Sequence, residues 1–122
     1  MSFQDLEVYK RAHRLALEIH KESMRFPHHE LYELGSQVRR SSKAICLNIA
    51  EGYGRKRYQK DYSKFLVNAL SSVEETQACL DFALDLGYFS EEKYSYYLSE
   101  YDILGKQLNT FLSRFMPVAS SK

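Results

Sequence analysis

The sequence predicts an all-α fold, an antiparallel up-down-up-down four-helix bundle filling residues 1–117. Three observations carry that expectation. Strong breakers are rare, with proline only at Pro27 and Pro117 and glycine only at positions 35, 52, 54, 87 and 105, so long stretches can stay helical. No window alternates apolar and polar residues for long enough to make a strand, whereas apolar residues recur at spacings of three and four almost throughout. The helical stretches are long and their connections short, which makes sequential helices antiparallel neighbours.

The first helix is expected over about residues 5–24. Its apolar face is Val8, Ala12, Leu15, Ala16 and Ile19 with Tyr9 alongside, Asp5 is placed to cap it, and Pro27 stops it. Helix two is expected over about 36–53, with a stripe of Val38, Ile45 and Ile49 widened by Cys46, Leu47 and Ala50. Ser41, Ser42 and Ala44 are small enough for close helix packing. Its end is placed near Gly52 or Gly54, where a left-handed residue costs little. Helix three is expected over about 59–86. Tyr62, Leu66, Ala69, Val73, Thr76, Leu80 and Ala83 form a heptad seam; its start lacks an obvious cap, and Gly87 suits its end. Helix four is expected over about 90–115, capped by Ser90, with Glu91 and Glu92 in the first turn. One stripe there is Tyr94, Leu98, Tyr101, Gly105, Leu108, Leu112 and Phe115, and a second is Tyr97, Leu104 and Phe111. Pro117 ends the helix, and residues 118–122 read as a frayed tail. The apolar arcs are wider than one bundle core needs, which points to a homo-oligomer; the plainer alternative is a monomer shielded by its tyrosines.

The length of 122 residues fits one domain, large enough to fold without metal or disulfide. Cys46 and Cys79 lie inside apolar patterns and outside any spaced metal or redox motif, so free buried thiols in a reducing compartment are expected. The start MSFQDLEVYK lacks an apolar leader segment, and no apolar run approaches the roughly 20 residues that span a bilayer. A cytoplasmic protein without a membrane partner is the expectation.

The net charge of +1 hides a division. From Gln37 to Lys64 there are eight basic residues against two acidic ones; from Glu74 to Asp102 there are eight acidic residues against Lys93 alone. Such a division fits an anionic partner, or a contact between copies of the chain. Catalysis finds little support. Neither a nucleophile–histidine spacing nor a glycine-rich phosphate loop occurs. His28-His29-Glu30 places neighbouring imidazoles on different sides, and His13 and His20 share a face without a second ligand pair, so neither metal nor cofactor is expected.

The unusual polar chemistry is concentrated between Ser41 and Tyr62. Asn48 and Glu51 sit among apolar neighbours, and Arg55 follows Glu51 by four residues. With Gly52 and Gly54 they read as a polar clasp at the corner between helices two and three, Asn48 being able to hydrogen-bond to another helix. Arg55, Lys56, Arg57 and Lys60 gain nothing from a helix start, where the macrodipole disfavours cations. With Tyr53 and Tyr58 interleaved, and Arg39, Arg40 and Lys43 upstream, they suit phosphates and stacked bases. The alternatives are a solvated loop, or a patch meeting the acidic surface of a neighbouring subunit.

Several stretches carry a resemblance: Asp5-Leu6-x-Val8-Tyr9-Lys10-x-Ala12, Phe26-Pro27-x-x-Glu30-x-Tyr32-x-Leu34, Gln37-x-Arg39-Arg40, the run from Asn48 to Arg55, Phe65-Leu66 and Glu74-Glu75-Thr76-Gln77. Together they resemble the bacterial four-helix-bundle family of proteins encoded in intervening sequences of 23S ribosomal RNA genes. The sequence departs from that pattern in lacking a proline near Ser42 to Cys46, and in having Arg57 or Tyr58 where a serine or threonine often precedes helix three. The resemblance implies a homo-oligomeric ring, a homopentamer. It also implies likeness in fold to the accessory variability determinant proteins of diversity-generating retroelements, pentameric barrels that bind nucleic acid and a reverse transcriptase. A non-enzymatic protein that binds RNA or DNA, RNA preferred, is therefore the first functional expectation. A protein-interaction scaffold is the second.

Overall fold

The computed structural model describes residues 1–114 and contains four helices with no strand among those residues. They are α1 (Glu7–Ser23), α2 (Leu34–Gly54), α3 (Gln59–Asp85) and α4 (Glu91–Ser113), with 3-10 turns at Phe3–Asp5 and His28–Glu30. Every described helix end lies within two residues of its expected place. Phe115, Pro117 and the tail 118–122 lie outside the described residues.

The helix ends show which local signals act. Asp5 does not cap α1. Its carboxylate accepts from Ser2 N at 3.0 Å while Ser2 Oγ accepts from Gln4 N at 3.2 Å, a capping box one turn earlier. Leu6 is then extended, and α1 starts without a side-chain cap. Ser90 caps α4 as expected, accepting from Lys93 N at 3.1 Å. α3 ends in a Schellman motif: Gly87 N donates to Leu84 O at 3.0 Å and Tyr88 N to Ala83 O at 2.7 Å, with Gly87 at φ +82°. Gly87 is the one positive-φ residue among those described. The end of α2 therefore does not use a left-handed glycine, contrary to expectation, and the helix runs through Gly54.

The four helices pack as a bundle in which α1 touches α2 and α4, and α3 touches α2 and α4. The expected faces of α1 and α3 are buried in full. On α4 the buried set is Tyr97, Tyr101, Leu104 and Leu108. This corrects the expected seam, because Tyr94, Leu98, Gly105 and Leu112 are only half-buried. Pairs of residues fix how neighbours run past each other. Along α2 and α3, Gly52 lies on Tyr62 and Phe65, and Thr76 Oγ1 donates to Ser41 Oγ at 2.8 Å. Arg40 shares a cleft with Phe82 and Leu86. Between α1 and α4, Lys93 Nζ donates to Glu22 at 2.7 Å, and Glu100 accepts from Arg11 at 2.7 Å and Arg14 at 2.5 Å. The expected surplus of apolar surface is present: Leu17, Leu47, Val67, Phe82, Leu86 and Ile103 are exposed. Among the described residues no helix is long and apolar enough to cross a membrane.

Candidate nucleic-acid interface

The corner between α2 and α3 is a pair of tight turns. Arg55 N donates to Gly52 O at 2.9 Å, Lys56 N to Tyr53 O at 3.2 Å and Tyr58 N to Arg55 O at 2.9 Å. The chain thus reverses within four residues, and the side chains of Arg55, Lys56, Arg57, Tyr58 and Lys60 all emerge at one end of the bundle, exposed. Gly52 makes the corner this tight. A Cβ built there would lie 2.9 Å from Phe65 Cβ and 3.3 Å from Tyr62 Cδ1, so only glycine lets α3 approach. Tyr58 stands at the start of α3 in extended backbone and gives no side-chain cap. The first-turn amides of a 27-residue helix therefore add positive potential to the cations around them.

The cations differ in how free they are. Arg57 and Lys60 enter none of the ion pairs of the described residues. Arg55 lies 3.9 Å from both Glu51 and Asp61, with the three side chains about half exposed. These pairs are too long to be hydrogen bonds and weak against solvent; the guanidinium also lies 5.5 Å from the Phe65 ring centre. Lys56 is more occupied: its Nζ donates to Tyr53 Oη at 2.9 Å and sits 4.0 Å from that ring's centre. Tyr53 in turn donates to Met1 O at 3.4 Å. One face of Tyr53 is therefore covered by a neighbour three residues on, and Tyr58, 62% exposed, is the open aromatic surface of the corner.

The upstream candidates are placed elsewhere. Arg39 is half-buried, donating to Ser23 Oγ at 2.9 Å and Leu31 O at 2.5 Å. It ties the end of α1 and the loop after it to α2, so it is committed inside the protein. Gly35 leaves it room, since a Cβ there would lie 3.0 Å from its Nη1. Arg40 faces the cleft with Phe82 and Leu86, and Lys43 faces a groove between α1 and α2. Lys43 and Arg55 are twelve residues apart on one helix line, about 18 Å. Among the described residues Asn48 makes no bond to another helix; its Nδ2 donates to Ala44 O at 2.8 Å on its own helix. Sequence reading missed Arg114. Its guanidinium lies 5.8 Å from the Phe111 ring, which packs on Tyr62 at 6.4 Å between centres. The length of α4 held the signal: a 23-residue helix leaving the end of α3 returns to its start.

Among the described residues no group of three or more His, Cys, Asp or Glu side chains is arranged to hold a metal. Cys46 and Cys79 are free and buried, and burial pushes both thiols up to about 11. The fold and corner define a small helical protein with one strongly basic end. The model of the 23S rRNA-intervening sequence protein family matches residues 4–110, and the chain belongs to that family. None of the curated proteins matches it.

Proposed function

We propose that this chain is a non-enzymatic, self-associating helical protein that binds nucleic acid, RNA in preference to DNA, with the basic end where α2 meets α3. The observation that carries the reading is the clustering of Arg55, Lys56, Arg57 and Lys60 around an open tyrosine, Tyr58, and an uncapped helix start. Arginine forks match phosphate oxygens, and an exposed aromatic ring takes an unpaired base from any sequence. Arg114 extends the same end. The order of contacts along the α2–α3 and α1–α4 pairs supports an up-down-up-down bundle of antiparallel neighbours, and membership of the family supports a cytoplasmic ring, with five subunits as the expected number. A ring would repeat the corner around one rim and multiply a weak single-site affinity.

A second reading, a protein scaffold, draws support from the exposed apolar side chains Leu17, Leu47, Phe82 and Leu86. Light scattering with a short structured RNA separates the two. An oligomer that gains RNA mass at low salt and loses it at moderate salt fits the first reading. An oligomer that ignores RNA at low salt leaves the scaffold.

A further inference from the structure

Two buried side-chain oxygens lack a hydrogen-bond partner among the described residues, Tyr101 Oη and Gln107 Oε1. Their settings differ. Tyr101 is sealed in the core. Gln107 is half-buried on α4 and lines a cleft of about 220 Å3 with Val8, Thr110, Phe111 and Arg114. A buried acceptor left without a donor is costly, and its place at the wall of a cleft points to a partner that enters from outside.

The cleft adjoins the basic end of the bundle. Its Phe111 ring packs on Tyr62, and Tyr62 N donates to Tyr58 O at 2.9 Å in the first turn of α3. Tyr58 is the open ring of the corner. Arg114, exposed at the end of α4, stands at the rim of the cleft with its guanidinium over Phe111. A strand held by Arg55, Arg57 and Lys60 and lying across this end meets Tyr58 and then the cleft.

The chemistry of the cleft selects its occupant. A carbonyl oxygen accepts and never donates, so it calls for an N–H or O–H group. The phosphates of a nucleic acid carry neither, whereas its bases carry N–H donors beside ring acceptors, and a primary amide pairs with both at once. Oε1 is closed off where it stands. The last torsion of a glutamine is soft, and turning the amide over exchanges Oε1 with Nε2. Val8 and Phe111 supply apolar walls, and a guanidinium at the rim matches a phosphate. Paired bases have these edges occupied, so only a base in a single strand, loop or bulge qualifies. We infer that the cleft between α1 and α4 at the basic end takes one unpaired base of the bound nucleic acid, with the Gln107 amide on its edge and Arg114 on an adjacent phosphate. The inference rests on the nucleic-acid binding proposed above and deepens it, because the end then distinguishes unpaired strands from duplex.

The test compares Gln107→Leu with the unaltered chain on three fluorescently tagged probes of one sequence: a short RNA strand, the same strand as DNA, and its blunt RNA duplex. Leucine keeps the bulk and removes the unpartnered acceptor, and urea unfolding followed by circular dichroism checks that the variant folds. The expected result is a loss of about tenfold in affinity for both single strands, with duplex affinity unchanged. The salt slope stays the same, since no phosphate contact is removed. Thr110→Leu adds bulk at an exposed position of the cleft and should repeat the pattern, which keeps the test decisive if Gln107→Leu fails to fold. A loss confined to the RNA strand would assign the donor to the 2′-hydroxyl and overturn the inference. Equal losses on strand and duplex, or no loss with either variant, would also overturn it while leaving the basic corner as a binding surface. An unaltered chain that binds none of the probes at low salt would overturn nucleic-acid binding itself, and this inference with it.

Discussion

Two glycines two residues apart should respond to alanine with opposite signs. At Gly52 the added methyl would meet Phe65 Cβ at 2.9 Å and Tyr62 Cδ1 at 3.3 Å, against an ordinary carbon contact of roughly 3.5–4.0 Å. Phe65 Cβ is anchored to the backbone, so relief requires α2 and α3 to move apart. Overpacking of this kind costs about 1–3 kcal/mol. Alanine's helix preference returns roughly 0.5–1 kcal/mol, which leaves Gly52→Ala less stable by about 1–2 kcal/mol. For a chain of this size each kcal/mol moves Tm by roughly 3–6 °C. At Gly54 nothing lies within 4 Å of the added methyl and φ is not positive. Only the propensity gain remains, at most about 1 kcal/mol and smaller at a helix's last residue. Thermal and urea unfolding followed by circular dichroism, at matched protein concentration, measures both. A Gly52→Ala variant as stable as the parent, or a Gly54→Ala variant as damaged as Gly52→Ala, would refute the close-approach account of the corner.

Three further outcomes are expected. Tyr101 is fully buried, and its hydroxyl has no hydrogen-bond partner among the described residues; Tyr101→Phe removes an unsatisfied group and should be neutral or stabilising by up to about 1 kcal/mol in urea unfolding. Glu100 accepts from two arginines of α1 while its side chain is 17% exposed, so Glu100→Gln should cost about 1–2 kcal/mol, less at high salt, since it leaves both guanidinium groups facing a neutral amide. Burial holds the thiols of Cys46 and Cys79 at about 11 against an ordinary 9. Both pKa values are raised on folding, so their contribution to stability is complete below pH 9 and is lost as pH rises towards 11. Stopped-flow labelling with a thiol reagent at pH 8 should show almost no reaction until the chain unfolds.

The sequence made the helices legible because their breakers were few and their seams regular. The heptad from Tyr62 to Ala83 was buried as read, since polar residues flank it closely enough to define one face. On α4 two apolar stripes overlap, and spacing could not choose between Leu98 and Leu104; packing in the bundle buries the side carrying Tyr97 and Leu104. Arg39 could not be read as internal because its partners, Ser23 Oγ and Leu31 O, lie in other elements and one is backbone. Gly52 was visible as a glycine, but its purpose was not: close approach to Phe65 depends on where α3 returns. The cation run from Arg55 to Lys60 needed no tertiary knowledge, since a corner residue of high charge is exposed in almost any packing. Arg114 required the path of α4.

Contact between the basic end and nucleic acid is the central property of the proposed function. The most direct test titrates a short, structured, fluorescently tagged RNA with the unaltered chain and with Arg55→Glu/Arg57→Glu/Lys60→Glu, at 50 and 200 mM salt, both proteins being brought to the same assembly state. The prediction is affinity that falls steeply with salt for the unaltered chain, a loss of at least about tenfold for the triple variant at low salt, and a salt slope smaller by about 2–3 because three phosphate contacts are gone. Equal binding by the two proteins, or binding indifferent to salt, would contradict it.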